Sequence, residues 1–168
     1  MLRVEALLAA VRVVMTQGDA AFESEAGEGA PSWATAIADR RLVVIRNVSA
    51  SFAAPQFEST LKHELSHVVL EEMFARRPEA LPHWLNEGLA MNVSEEWEMP
   101  AAWMSMRTEL YGSMRSGDTL DFSEISGSFP YSEWKARIAY AQSFDFTRYL
   151  LKRFGREKVD ALLKRLAS

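Results

Sequence analysis

The chain has 168 residues, 48% hydrophobic and 25% charged, with a net charge of −4 and no cysteine. Such a composition is globular, and a domain of this length buries roughly 70% of the surface its unfolded chain exposes. The missing cysteine excludes disulfides, iron–sulfur clusters, thiolate nucleophiles and cysteine-ligated zinc, and the acidic balance argues against a nucleic-acid partner.

Residues 2–16 carry Leu7, Val11 and Val14/Met15 at helical spacing, which predicts an amphipathic helix. Glu5 and Arg12 interrupt its apolar side, leaving residues 6–11 as the longest clean run. That run is too short for a signal-peptide core or a membrane span. No span is expected, and the cellular location stays open. Residues 17–31, with Gly18, Gly27, Gly29 and Pro31, read as a loop with one short strand near 21–25.

Two strands are expected next, over residues 34–38 and 42–48, joined by Asp39, Arg40 and Arg41. The second is rich in β-branched residues, which suits a hairpin. From Pro55 the period changes. Phe57, Leu61, Leu65, Val68 and Val69 recur at three- and four-residue spacing, which predicts a helix to about Arg76. Pro78 and Pro82 bracket a short loop before a second helix over 83–95.

A third helix should open near Pro100 and stop before Gly117. Residues 118–130 are polar and read as a loop. Residues 132–154 form a long helix ended by Gly155, a residue suited to a left-handed cap. The last helix covers 156–166, and its Lys and Arg residues alternate with leucines as a solvated face. The order predicts an α+β, helix-dominated fold with a small N-terminal hairpin or sheet. We expect a single domain over 1–168: an N-terminal helix and loop (1–30), a central core (33–98) and C-terminal helices (100–168).

Two of the three histidines stand in His63-Glu64-Leu65-Ser66-His67. On a helix, residues i and i+4 differ by only about 40° in direction, so both imidazoles leave one face and can grip one ion. Glu64 points about 100° away from His63, placed to reach a water on that ion without ligating it. Leu61, Leu65, Val68 and Val69 fall on another face, free to bury.

Catalytic zinc typically takes three protein ligands and keeps one position for water. A histidine six residues beyond His67 and a glycine three residues beyond it are missing, since Met73 and Leu70 occupy those positions. An acid on the following helix remains, and Glu87 stands there beside Gly88 in an apolar run. A carboxylate buried in such a run is costly unless a partner such as a metal satisfies it. His83 precedes it by a turn and reads as a rim residue.

The chain resembles the gluzincins, and within them the small peptidase MA-like metallopeptidase domains. The resemblance covers residues 33–168. It rests on His63-Glu64-Leu65-Ser66-His67-Val68-Val69, on Pro82-His83-Trp84-Leu85-Asn86-Glu87-Gly88-Leu89-Ala90, and on Ala139-Tyr140-Ala141-Gln142-Ser143 followed by Tyr149-Leu150 and Phe154-Gly155.

The resemblance implies one Zn²⁺ on His63, His67 and Glu87, with Glu64 as general base. It implies that the strand carrying Val44, Ile45, Arg46 and Asn47 is a sheet edge above the zinc, to which a peptide or protein substrate adds as a further strand. It also implies a second donor for the oxyanion, for which Tyr140 is the candidate. Some relatives place an acid four residues after the glutamate ligand to orient a histidine. Met91 stands there, so that partner must be a backbone carbonyl or a residue such as Asn86 or Asn92. Peptide-bond hydrolysis is the expected activity. A metal-binding module with little or no catalysis is the alternative, and a metal-free interaction domain would leave the motif unexplained.

Overall fold

The computed structural model describes residues 10–27, 34–47, 54–94 and 100–168. It opens with strand β1, Arg12–Gln17, and helix α1, Asp19–Ala26. Strands β2, Ala36–Asp39, and β3, Leu42–Asn47, follow as an antiparallel hairpin that pairs Asp39 with Leu42. Its two-residue turn requires a positive φ, which Arg40 adopts at 55°.

β1 pairs in parallel with β3, from Arg12 opposite Leu42 to Gln17 opposite Asn47. The sheet order is therefore β1-β3-β2, with β3 in the centre. This explains the unbroken apolar run of β3, which is covered on both faces. Val44 packs with Phe22 of α1 and with Ala34, while Val43 and Ile45 pack with Val68 on the opposite side.

Three expectations are corrected here. Residues 12–17 form a strand and not the end of a helix; residues 2–9 of that expected helix lie outside the described residues. Residues 19–26 form a helix where a loop and short strand were expected. Val44, Ile45, Arg46 and Asn47 do not lie on an edge, because β1 takes one side of β3 and β2 the other. The edges are β1 and β2.

The remaining helices are α2, Ala54–Met73; α3, His83–Ser94; α4, Pro100–Ser116; α5, Glu133–Phe154; and α6, Arg156–Ala167. A 3₁₀ turn over Pro78–Ala80 reverses the chain between α2 and α3. Leu70 of α2 and Phe74 just after its end, Leu85 and Leu89 of α3, and Val159 and Leu163 of α6 share one core. Burial of side chains of this size stabilises the fold by about 1.5–3 kcal/mol each. Met91, Met106, Ala141 and Phe144 form another core, which seats α4 and α3 on α5. Gly155 ends α5 with φ 82° and ψ 159°, a positive-φ turn but not the left-handed helical cap expected for it.

The polar segment 118–130 is tied down by side chains. Gln142 accepts from Leu120 N at 2.8 Å and donates to Leu120 O at 2.9 Å. Leu120 and Ile125 also bury against Ile138 and Ala139 of α5. The segment in turn caps α3, since Ser126 O accepts from His83 N at 2.7 Å and Ile125 O from Trp84 N at 3.1 Å. Those contacts set the start of the helix that carries Glu87.

Candidate metal centre

α2 and α3 place their chemistry face to face. His63 and His67 leave α2 one turn apart, with ring centroids 4.8 Å apart and ring planes crossed at 77°. Glu87 comes from α3 and is buried, with 7% of its surface exposed. Its Oε2 lies 3.5 Å from His63 Nε2 and 3.7 Å from His67 Nε2.

Neither separation makes a good hydrogen bond, and Glu87 Oε2 is a buried oxygen with no hydrogen-bond partner. A fully buried, unsatisfied carboxylate oxygen demands an explanation. The distances supply one. Nitrogen and oxygen atoms at about 2.0–2.1 Å from a tetrahedral zinc lie roughly 3.3–3.5 Å from one another. Ligand atoms of His63, His67 and Glu87 lie within 4.8 Å of one another, and two imidazoles with one carboxylate are a donor set that suits zinc. The residues fit the ion.

Asn86 supplies the orienting contact. Its Oδ1 lies 3.0 Å from His67 Nδ1, so the tautomer that donates from Nδ1 leaves Nε2 with a free lone pair toward Glu87. Of the two asparagines considered from sequence, Asn92 has another task. Its side chain donates to Gly88 O at 2.7 Å and to Phe144 O at 3.2 Å, fastening α3 to α5. Gly88 makes that approach feasible, since a Cβ there would meet Thr147 Oγ1 at 2.2 Å and Ser143 O at 2.4 Å.

The centre opens into a cleft of about 530 Å³. α2 forms its floor with Thr60, His63, Glu64, His67 and Glu71, while residues 34–38 at and before β2 form one wall. His83, Asn86, Glu87 and Met91 of α3, with Tyr140 of α5, form the other. Val44, Ile45 and Arg46 do not line it. Arg46 instead pairs with Asp19 at 2.6 Å and lies over the Phe22 ring. Glu64 is buried at 6% exposure on the cleft floor.

The electrostatics follow from this crowding. Burial would push the Glu87 carboxyl up, but His63, His67 and His83 outweigh it and hold it below the usual carboxylate range. Burial, and then the negative charges of Glu87 and Glu64, push the Tyr140 phenol far above its usual value. It is a neutral phenol at any working pH. Burial also moves His83 below the usual imidazole range, toward its neutral form.

Glu71 was not singled out from sequence, although it continues the i, i+4 step from His63 through His67. Partial burial, then the nearby Asp39 carboxylate, raise it above the ordinary carboxylate range. His83, read from sequence as a rim residue, stands in the cleft wall with its Nε2 3.7 Å from Glu87 Oε1.

The family model of the peptidase MA superfamily matches residues 29–168, which include both helices of this centre, the β2–β3 hairpin and Tyr140. No curated protein and no solved structure matches the chain. The family match spans most of the sequence, and the chain belongs to the peptidase MA superfamily as a gluzincin-like domain.

Proposed function

We propose that this protein is a zinc-dependent peptidase that hydrolyses peptide bonds with an activated water and Glu64 as general base. The observation that carries the reading is the orphaned Oε2 of Glu87, buried between the Nε2 atoms of His63 and His67. His63, His67 and Glu87 would hold the ion, with residues 33–98 as its core and 100–168 as supporting helices. When bound, zinc lowers the pKa of a water molecule toward about 7 and polarises a substrate carbonyl.

Glu64 takes the proton of the attacking water and then delivers it to the departing amine. Its buried place on the cleft floor keeps competing solvent away from that proton. Tyr140 donates its phenolic hydrogen to the oxygen that gains charge as the carbonyl is attacked. Because its phenol stays protonated, the donor is present throughout the working pH range.

The substrate strand adds to β2 and not to β3. Ala36, Ile37 and Ala38 border the cleft, and β2 pairs only with β3 in the described sheet. Extended peptides bind such edges through main-chain hydrogen bonds.

The metal content of the purified protein tests this reading. After incubation with zinc and desalting, mass spectrometry should find about one zinc per chain, lost in His67→Ala. A wild-type protein that retains no zinc removes the basis of the proposal.

A further inference from the structure

An extended peptide directs its N–H and C=O groups to two edges, so pairing with β2 satisfies only one of them. The other edge faces the wall built by α3 and α5. Backbone groups buried there without partners would weaken binding. The polar side chains of that wall are His83, Asn86, Glu87 and Tyr140. Asn86 is engaged with His67, and Glu87 with the metal centre.

His83 is held but not engaged. It is the first residue of α3, its backbone N–H is fixed by Ser126 O, and its ring stands edge-on to Phe129 at 4.5 Å. Phe129 also meets Tyr140 edge-on, at 4.8 Å. Among the described residues neither ring nitrogen of His83 has a hydrogen-bond partner, for Glu87 Oε1 is 3.7 Å away. Its side chain keeps 32% of its surface exposed. It borders the group of His63, His67 and Glu87, whose ligand atoms lie within 4.8 Å of one another, without belonging to it.

We infer that His83 binds substrate, its imidazole hydrogen-bonding the peptide backbone on the edge remote from β2, beside the metal centre. The inference rests on the proposed peptidase reading and assigns a second anchoring wall to the same cleft. Segment 118–130 then acts on binding, since Ser126 and Phe129 set the position of the His83 ring.

The test compares zinc-loaded wild type, His83→Phe and His83→Gln, using the peptide hydroxamate acetyl-Ala-Ala-NHOH as probe in calorimetry. Phenylalanine keeps the ring contact with Phe129, and glutamine keeps a polar hydrogen-bonding group. Zinc content should stay at about one per chain in all three. His83→Phe should bind the probe about tenfold more weakly than wild type, with His83→Gln in between. Equal affinities, or a wild type that binds no probe, would overturn the inference. Loss of zinc from His83→Phe would overturn it in favour of a metal-holding role. Probe binding that depends on His83, in a protein that cleaves no peptide, would remove the peptidase reading and leave this one standing.

Discussion

Asn86 Oδ1 lies 3.0 Å from His67 Nδ1, joining the helix that carries Glu87 to the helix that carries both histidines. This hydrogen bond orients the His67 ring and favours the tautomer that donates from Nδ1. Asn86→Ala should weaken zinc binding by about 10–100-fold while the fold persists. Competition with a chromophoric chelator measures this. Unchanged affinity would mean that packing alone orients the His67 ring.

Zinc should also stabilise the protein, because the ion binds a site that only the folded chain assembles. At a free zinc concentration 100 times Kd the gain is about 2.7 kcal/mol. Thermal unfolding should show a higher Tm with zinc for wild type and little shift for Glu87→Ala. Imidazoles must be deprotonated to ligate, so the zinc-induced shift should shrink as pH falls from about 7.5 to about 5. A shift of equal size in Glu87→Ala would place the ion elsewhere.

Gly88 has no room for a side chain. A methyl group there collides with the Ser143 carbonyl oxygen and with Thr147 Oγ1, both on the packed face of α5. Gly88→Ala should cost about 1–3 kcal/mol of stability and should also lower zinc affinity, because α3 carries Glu87 away with it. Denaturant titration and chelator competition read the two effects. A variant with wild-type stability would show that α3 and α5 can separate without penalty.

Tyr140 offers a test by pH. Its phenol is raised in the folded state, mainly by burial and then by Glu87 and Glu64. Above the ordinary tyrosine value of about 10 the unfolded chain releases a proton that the folded chain keeps, so stability falls as pH rises. Tyr140→Phe should remove that contribution and lose less stability than wild type between pH of about 9 and about 11. In activity, Tyr140→Phe should lower kcat by about 10²-fold with zinc retained. Equal alkaline losses in both proteins would contradict the buried setting of this phenol.

Helices α2 to α6 were legible because each declares itself locally. The three- and four-residue spacing of α2, the prolines between α2 and α3, and Gly117 and Gly155 mark boundaries to within a residue or so, except that α2 stops at Met73, three residues short of the expected end. The first strand was not legible. Val11, Val14 and Met15 satisfy a helical period, while the fact that decides them is parallel pairing with β3, a partner some thirty positions away. Missing β1 left β3 looking like an edge, and the substrate strand was placed on it.

α1 was hidden for another reason. Phe22 is its buried residue, and glycines flank it, so it carries almost no apolar stripe to read. At the metal centre the motif showed His63, Glu64 and His67, and Glu87 followed from the ligand number that zinc requires. Asn86 was one of two asparagines that sequence left open. The place of His83 depends on Phe129 and Ser126, from a segment whose composition reads only as polar loop.

Cleavage of a quenched fluorescent peptide library by the zinc-loaded protein tests the central claim most directly, with a chelated sample and Glu64→Gln run beside it. The account predicts hydrolysis by wild type, none after chelation, and none by Glu64→Gln although that variant keeps about one zinc per chain. Hydrolysis by Glu64→Gln at the wild-type rate, or none by zinc-loaded wild type on any peptide, would contradict it.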